Sequence, residues 1–340
     1  MATTRWGILS TADIGRRKVI PGLLKADRVE VLGIASRDES QARTVAGELG
    51  IPRSYGSYEA LLADPDIDVV YIPLPNHLHL EWTMAAARAG KHVLCEKPIA
   101  LTADDAQRMV NVAANEGVRL MEAFMYRLHP SWEAVRQIVH SGQIGQIRSI
   151  DSFFSYYNDD PNNIRNQLDA GGGALYDIGC YCINLSRLLF DGEPTGISAV
   201  VHREPVTGVD VLSSALLEFP TGTATFTCAT RIEPDQRVHV YGTKGRISVE
   251  IPFNIPPDRP TRIFVTAGGD PPVAPATETI TFDTTDPYTV EGERFAAAIL
   301  DGLPTPVPAE DAVANLRVIE AVFAAGSRAG ALAGVAGEVS

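Results

Sequence analysis

The chain has 340 residues, 45% of them hydrophobic and 21% charged, with a formal net charge of −13, and this length favours two globular domains. The acidic balance argues against binding to nucleic acid or anionic membrane surfaces, because both need clustered Lys and Arg. Because the N-terminus has no export signal and no stretch is apolar enough to span a membrane, we expect a cytoplasmic protein.

The first 122 residues alternate short β-branched runs with helical stretches. We predict strands over 4–9, 29–36, 68–72, 92–95 and 118–123, and helices over 13–25, 38–49, 57–63, 77–89 and 104–116. Such alternation indicates right-handed crossovers and a parallel sheet covered on both faces. We therefore assign residues 1–123 to a nucleotide-binding domain of the α/β class.

The segment GILSTADIG (7–15) joins the first strand to the first helix, which is the context that a dinucleotide fingerprint requires. Its glycine positions read Ser10, Ala12 and Gly15, so the pattern alone is weak and a turn without a cofactor is the alternative. Ser and Ala still leave backbone amides within reach of a pyrophosphate at a helix N-terminus. The predicted contacts are Ser10, Thr11, Ala12, Asp13 and Ile14.

The second strand ends with Ser36 and Arg37, where an NAD site usually places an acidic residue. A hydroxyl and a guanidinium suit a 2′-phosphate, whereas a carboxylate would repel it. We therefore predict that both residues contact NADP, with NAD as the weaker alternative cofactor. In the alternative interpretation, Asp38 turns inward and Arg37 is a solvated residue at a helix start.

The third strand is followed by PLPNHLH (73–79), whose prolines keep the loop extended under the cofactor. The predicted cofactor contacts here are Pro73, Asn76 and His77, although Asn76 could instead cap a helix. The fourth strand is followed by Glu96-Lys97-Pro98, in which the proline keeps Lys97 out of helical geometry.

Lys97 and Glu96 thus lie at the carboxyl end of a strand, where ligands bind in open α/β sheets. We predict that both contact the cofactor and that Lys97 also contacts the substrate. A solvated lysine in an ordinary loop is the alternative.

After Phe124 the strands follow one another with short turns, which predicts an α+β domain over 124–340 with one large, mostly antiparallel sheet. Strands are predicted over 146–157 and from residues 195, 210, 222, 238, 245 and 262, and helices over 129–140, 173–190, 288–301 and 310–329. In an alternative prediction, the C-terminal helix packs back on the first domain. The four cysteines have no metal or redox spacing, so we predict reduced thiols and no metal site.

The segment GGGALYDIGCYCINLSRLLF (171–190) predicts an apolar helix with one polar stripe, formed by Asp177, Tyr181 and Asn184. Buried polar groups must be satisfied, so the stripe either bonds within the protein or lines a polar cleft. Three glycines at its start predict a flexible beginning.

Lys97 and Tyr181 together have a chemical rationale. Removing a hydride from a carbinol carbon requires removal of the hydroxyl proton, and a tyrosine accepts it only when its pKa is lowered from about 10. A neighbouring ammonium such as that of Lys97 lowers it by stabilising the phenolate. Asp177 would hold either a substrate hydroxyl or the lysine, and either Tyr181 or Lys97 could be the immediate proton acceptor.

The polar loop NDDPNNIRN (158–166) offers Asn158 and Arg165 as donors and acceptors for a polyol. The alternative is an ordinary exposed turn, which uses the same residue types.

The segments GILSTADIG, EKP (96–98) and GGGALYDIGCYCINLSRLL together resemble the glucose–fructose oxidoreductase superfamily, also called the Gfo/Idh/MocA oxidoreductases, over nearly all 340 residues. The resemblance implies an N-terminal Rossmann domain and a C-terminal open-faced sheet that commonly mediates dimers or tetramers. It also makes Lys97 the lysine of the catalytic motif and Asp177 the helix aspartate.

Many relatives carry histidine where this chain has Tyr181, whereas tyrosine is typical of glucose–fructose oxidoreductase, NADP-dependent D-xylose 1-dehydrogenases and dimeric dihydrodiol dehydrogenases. The dihydrodiol enzymes have a tryptophan in the stretch that matches MEAFMYRLHP (121–130), where this chain has Phe124, Met125 and Tyr126. This departure makes an aromatic diol a weaker prediction, and it leaves Tyr126 as a predicted substrate contact.

The resemblance and the residues together predict an NADP-dependent aldose 1-dehydrogenase. It would oxidise D-xylose, or a similar pentose or hexose, at C1 to the lactone. The alternatives are a trans-dihydrodiol dehydrogenase and a nucleotide-sensing regulator without catalysis.

Overall fold

The structure, a computed structural model, describes residues 2–267 and 276–329. It divides the chain into two compact units. The first consists of Met1–Pro130, Ile255–Arg259 and Thr284–Val313, and the second of Ser131–Asn254, Pro260–Asp283 and Ala314 onward. The predicted second domain runs to residue 340, so its residues 268–275 and 330–340 lie outside the described part.

In the described part of the first unit, six parallel strands form one sheet in the order β3-β2-β1-β4-β5-β6. The strands are β1 (Thr4–Leu9), β2 (Val29–Ala35), β3 (Arg53–Tyr55), β4 (Val69–Ile72), β5 (His92–Cys95) and β6 (Leu120–Glu122). This is the doubly wound dinucleotide-binding order, in which ligands bind at the carboxyl ends of the strands where the order reverses. The reversal falls between β1 and β4, so the loops after these strands define the expected cofactor position.

Helices connect the strands of this sheet. They are α1 (Ile20–Leu23), α2 (Glu39–Leu49), α3 (Tyr58–Leu62), α4 (His79–Arg88) and α5 (Ala103–Asn115). A π-helical turn over Gly15–Val19 precedes α1. Side chains of Asp38, Ser57 and Thr102 accept backbone N–H bonds and so fix where α2, α3 and α5 begin.

The core of the first unit packs Trp6, Ile8 and Leu94 of the sheet against Phe295, all fully buried. The rings of Trp6 and Phe295 meet edge to face with centroids 5.9 Å apart. Burial of each large side chain contributes about 1.5–3 kcal/mol. Phe295 is contributed by the returning segment Thr284–Val313, so the N-terminal sheet depends on residues far along the chain.

Eight strands in the described part of the second unit form a sheet in the order β14-β13-β12-β11-β7-β10-β9-β8. They are β7 (Ile147–Tyr157), β8 (Gly196–Arg203), β9 (Asp210–Phe219), β10 (Gly222–Ala229), β11 (Arg231–Gly242), β12 (Gly245–Val249), β13 (Thr261–Ala267) and β14 (Thr277–Phe282). Only the β10–β7 pairing among these described strands is parallel. The remaining helices are α6 (Pro130–Ser141), α7 (Cys180–Phe190), α8 (Pro287–Leu300) and α9 (Ala309–Ala329).

The predicted fold class is confirmed: a parallel Rossmann sheet and a second, mostly antiparallel sheet. Two short strands, β3 and β14, were not predicted. Strand β3 has three polar or aromatic residues that are all half-buried. Strand β14 lies at the edge of its sheet, and its residues are exposed or half-buried. Neither strand therefore shows a buried alternating pattern. Strand β11 begins at Arg231, earlier than the predicted residue 238. Its first residues are mostly polar, and the register of its pairing with β7 shifts between Arg231 and Asp235, so no alternating apolar pattern marks this start.

All four cysteines (Cys95, Cys180, Cys182 and Cys228) are buried free thiols. No helix in residues 2–267 and 276–329 has both the length and the apolar character needed to cross a membrane.

Candidate active site

The turn after β1 carries the predicted pyrophosphate contacts. Ser10 has a φ of 125°, in the region that usually favours glycine. Its backbone N donates to Ala35 O at 3.0 Å, and its hydroxyl accepts a bond from Ala12 N at 3.0 Å. The serine thus takes the conformation of the missing glycine and tightens the turn with its own side chain.

The end of β2 presents two different groups. Ser36 is buried and its hydroxyl accepts a bond from Asp38 N at 3.2 Å, while Arg37 is exposed. The Asp38 carboxylate accepts bonds from Ser40 and Gln41, which lower its pKa below the usual value. Because this carboxylate caps α2, the position where an NAD site offers an acid instead offers a guanidinium.

Tyr58 is a neighbour of this position that sequence reasoning missed. Burial raises the pKa of Tyr58, whereas the Arg37 charge and side-chain hydrogen bonds with Ser10 and Arg37 act in the opposite direction. The ring packs edge to face on Trp82, with centroids 4.8 Å apart. The structure therefore brings together Ser10 and Arg37, two predicted contacts, around a hydroxyl that β3 and α3 place there.

The loop after β4 contains Pro73, Asn76 and His77, of which Pro73 is buried and His77 exposed. Asn76 starts a 3-10 turn over Asn76–Leu78, and Pro75 occupies the N-cap position. The alternative in which Asn76 caps a helix is therefore wrong.

The loop after β5 carries Lys97, which is half-buried, and its peptide bond to Pro98 is cis. Glu96 Oε1 accepts a bond from the Tyr71 hydroxyl at 2.6 Å, and Glu96 Oε2 accepts one from Lys97 N at 3.3 Å. Burial and the Glu96 charge raise the pKa of Tyr71 well above its usual value. The Glu96 carboxylate therefore binds the backbone of the Lys97 loop to the protonated Tyr71 of β4.

In the second unit, the helix that carries Asp177 and Tyr181 begins against β9. Asp210 is almost fully buried, and its carboxylate accepts bonds from Leu175 N at 2.8 Å and from the Ser213 hydroxyl at 2.9 Å. Gly173 has a φ of 122°, and a Cβ there would overlap Asp210 Oδ1. The glycine therefore lets the chain approach a buried carboxylate, and this close approach gives Gly173 a role that the sequence prediction did not include.

Gly173→Ala is expected to lower the free energy of unfolding by about 3 kcal/mol, since it adds both backbone strain and a clash. Urea unfolding followed by circular dichroism measures the change. Gly47→Ala in α2 is the matched control, because no atom lies within 4 Å of a Cβ built there; it should stabilise slightly. Equal effects of the two substitutions would contradict the close approach to Asp210.

The first turn of the same helix, Leu175–Gly179, is π-helical, and α7 continues from Cys180. The predicted α-helical spacing of Asp177 and Tyr181 is therefore wrong for that turn. In proteins generally, single π-helical turns are frequent at functional sites.

Asp177 lies in a polar cluster. Its Oδ2 accepts a bond from the Tyr156 hydroxyl at 2.5 Å and one from Arg165 Nε at 2.9 Å. Burial and the Asp177 charge raise the pKa of Tyr156 above its usual value, so this phenol is a donor. The cluster joins two predicted residues, Asp177 and Arg165, with Tyr156. Sequence reasoning missed Tyr156 because it lies within an alternating strand, next to its last residue.

Tyr181 is 5% exposed. Its ring packs on Phe154 and Phe253, with centroids 5.8 and 5.5 Å away. An apolar setting of this kind holds the ring in one orientation. Tyr181 and Asp177 belong to the second unit and Lys97 to the first, so the pairing of Lys97 with Tyr181 stays a prediction.

Two predicted substrate contacts, Tyr126 and Asn158, contact other residues of their own unit. Tyr126 belongs to the first unit, is fully buried and meets the Phe124 ring at 6.0 Å, so a substrate would reach it only if it became accessible. Asn158 Oδ1 accepts bonds from Asp160 N and Asn166 Nδ2, at 3.1 and 3.2 Å, which shape the loop.

The first unit offers a cationic position at the end of β2 and a lysine loop after β5. The second unit offers a carboxylate–guanidinium–phenol cluster. Among residues 2–267 and 276–329, no group of three or more His, Cys, Asp or Glu side chains could hold a metal ion. The chemistry that these groups can perform is binding of polar ligands and transfer of protons.

Comparison with known proteins agrees with this architecture. Residues 4–124 match the oxidoreductase family with an NAD-binding Rossmann fold, and residues 132–248 match the GFO/IDH/MocA C-terminal domain. A D-xylose 1-dehydrogenase (NADP(+)) of Haloferax volcanii is 42% identical over 94% of this chain and 96% of its own. A trans-1,2-dihydrobenzene-1,2-diol dehydrogenase of Mus musculus is 36% identical over 72% and 74% of the two chains.

Among solved structures, a 3-ketoreductase from Actinomadura kijaniata in complex with NADP and TDP-benzene superimposes with a TM-score of 0.86. It is 33% identical and covers 95% of this chain and 98% of its own. Both domains, the strand order and these relatives point to one conclusion: the chain belongs to the GFO/IDH/MocA oxidoreductase family and acts as an oxidoreductase on CH–OH or keto groups.

Proposed function

We propose that the protein oxidises an aldopyranose, D-xylose or a similar sugar, at C1 to the lactone with NADP as cofactor. The observation that carries this proposal is the cluster of Asp177, Arg165 and Tyr156, which offers an acceptor and two kinds of donor to a polyol. The similarity to a D-xylose 1-dehydrogenase over 94% of the chain supports it.

The residues at the end of β2 fit NADP. Arg37 is exposed beside the Tyr58 hydroxyl, and the Asp38 carboxylate is occupied by the cap of α2. A 2′-phosphate would contact a guanidinium and hydroxyls there, while the Asp38 carboxylate is engaged by backbone N–H groups of α2.

Bound NADP would supply the hydride acceptor. We assign to Tyr181 the removal of the C1 hydroxyl proton, and to Lys97 the stabilisation of the resulting phenolate by its positive charge. Asp177 and Arg165 would orient the sugar hydroxyls. The buried rings of Phe154 and Phe253 keep the Tyr181 ring fixed and exclude water from its faces.

Arg37→Ala is expected to weaken NADP binding roughly tenfold or more, the effect of losing a charge-assisted hydrogen bond, and to leave NAD binding nearly unchanged. Titration of both cofactors by intrinsic fluorescence measures this. Arg43→Ala, which removes an exposed guanidinium that pairs with Glu39, is the control. Equal losses for NADP and NAD would mean that Arg37 does not meet the 2′-phosphate.

A substrate screen tests the proposed reaction. NADP reduction would be followed by the absorbance of the reduced nicotinamide, with D-xylose, D-glucose and trans-cyclohexanediols as substrates. We expect turnover of at least one aldose and formation of the lactone. Turnover of the diols alone would refute the sugar assignment.

The diol reaction is the second candidate, favoured by the similarity to the mouse dihydrodiol dehydrogenase. The remaining alternative from the sequence, a regulator without catalysis, is set aside because the chain belongs to an oxidoreductase family. Retention of Lys97 and Tyr181 argues against it.

Two further expectations belong to this proposal. We propose a homodimer or homotetramer formed through the eight-stranded sheet, which light scattering after size-exclusion chromatography measures. We also propose a cytoplasmic location, supported by the four buried free thiols.

A further inference from the structure

His79 is a fully buried histidine to which the proposed reaction assigns no role. It is the first residue of α4. Its Nδ1 lies 2.8 Å from Pro98 O, and its Nε2 lies 2.8 Å from Leu74 O. Both polar atoms of the ring therefore contact backbone carbonyl oxygens.

The two carbonyls belong to the two loops that carry predicted cofactor contacts. Leu74 lies between Pro73 and Pro75 in the loop after β4, and Pro98 follows Lys97 in the loop after β5. Strands β4 and β5 are paired up to Ile72 and Cys95, so the ladder ends where these loops begin. The imidazole of His79 thus continues the connection between the strands beyond the end of the sheet.

The protonation of the ring follows from its surroundings. Burial lowers the pKa of His79 to about 4, and the charges of Lys97 and His77 act in the same direction, against the two carbonyl contacts. The ring is therefore neutral at pH 7 and carries one N–H, because a neutral imidazole has one donor and one acceptor nitrogen. Its tautomer decides which carbonyl oxygen receives the hydrogen bond.

A buried polar side chain costs free energy compared with an apolar one of similar size, unless its hydrogen bonds compensate. A leucine at the buried start of α4 would pack without that cost. The gain from histidine at this position is a hydrogen bond to the carbonyl oxygen of one loop, while the ring lies against the carbonyl of the other loop. A single side chain therefore bridges two loops that both end at the cofactor side of the sheet.

We propose that His79 is a positioning residue for hydride transfer. By donating to one of the Leu74 and Pro98 carbonyls and packing against the other, it holds the backbone of Lys97 in a fixed position relative to the Pro73–His77 loop. This inference rests on the proposed function, because it assigns Lys97 to the reacting hydroxyl. Misplacement of a reacting group by about 1 Å costs roughly 10²-fold in rate.

The test compares His79→Leu with His79→Gln. In single turnovers with NADP and sugar, we expect the rate constant of NADPH formation to fall roughly 10²-fold in His79→Leu. It should recover in part in His79→Gln, whose amide can donate to a carbonyl oxygen. A merely structural role would lower the amplitude, which reports the folded fraction, and leave the rate constant unchanged; that result would overturn the proposal.

His92→Leu is the matched control. His92 lies at the amino end of β5, away from the Lys97 loop, and its Nδ1 accepts a bond from Arg119 N at 2.8 Å. We expect this variant to lose stability and to keep the wild-type rate constant. A rate loss as large as that of His79→Leu would overturn the proposal, because the loss of a histidine hydrogen bond remote from the Lys97 loop would then have the same effect.

A second readout separates this inference from the proposed reaction. If wild type oxidises no sugar or diol, the proposed function fails, and binding of NADPH decides the role of His79. We then expect His79→Leu, but not His92→Leu, to shift the emission of bound NADPH, because that emission reports the surroundings of the nicotinamide. Identical spectra for wild type and His79→Leu would overturn the bridge.

Discussion

Tyr181→Phe is expected to lower kcat by roughly 10²–10⁴, the usual contribution of a general base. The substitution removes one oxygen and keeps the ring between Phe154 and Phe253. The melting temperature and the affinity for NADP should therefore stay close to those of wild type. Steady-state kinetics, calorimetry and cofactor titration on the same preparation measure the three quantities.

Tyr176→Phe provides the control. Tyr176 precedes Tyr181 on the same helical segment, packs on Phe323 at 5.5 Å, and has a pKa raised to about 12, chiefly by burial. The same loss of a hydroxyl should leave kcat unchanged there. Unchanged turnover in Tyr181→Phe would show that another group accepts the proton, and Lys97 would be the first to examine.

Lys97→Met is the second substitution with a large expected effect. Methionine keeps most of the length of the side chain and removes the charge to which the proposed mechanism assigns the lowering of the Tyr181 phenol pKa. We expect kcat to fall by roughly 10²–10⁴, and the pH at which kcat reaches half its maximum to rise, since an unassisted phenol titrates near 10. The pH profile of kcat between neutral and alkaline pH measures both changes.

Lys91→Met is the contrasting control, because Lys91 Nζ donates to Asp64 O at 2.7 Å and to Ile67 O at 2.8 Å. Its loss should lower the melting temperature without changing kcat, whereas Lys97→Met should do the reverse. A pH profile of wild-type shape in Lys97→Met would separate the lysine from proton transfer.

The double variant of Lys97→Met and Tyr181→Phe tests whether the two residues act as a unit. Groups that serve one step give strongly non-additive losses. We expect the double variant to be scarcely slower than the poorer single variant. Multiplication of the two single losses would mean that the residues act in independent steps.

Sequence periodicity predicted most of the fold, because the parallel strands other than β3 and β6 are short apolar runs that precede helices. Strand β1 was predicted with its observed bounds, and so were β5 and β9. The failures were local. Strand β3 and strand β14 were missed because their residues are partly exposed, and the π-helical turn at Leu175–Gly179 was missed because a pattern of α-helical spacing does not report i→i+5 bonding.

The candidate site was predictable where it depends on position along a strand. Ser10, Arg37 and Lys97 each follow a strand of the parallel sheet, so strand assignment alone places them at its carboxyl edge. Asp177 and Arg165 were each predicted as substrate contacts, but their mutual ion pair was not.

The parallel nucleotide-binding sheet and the loops at its carboxyl edge were predictable from sequence, because they follow from local periodicity and from residues next to strand ends. Tertiary packing brings Tyr156 to Asp177 and requires a glycine at position 173. It also brings the Arg37 charge close enough to Tyr58 to oppose the rise in the pKa of that phenol. Each of these contacts joins elements that are separate in the chain, so the partner is selected by packing. The two carbonyl contacts of His79 belong to the same class. The sequence around a histidine at a helix start does not indicate that two separate loops will contact its ring.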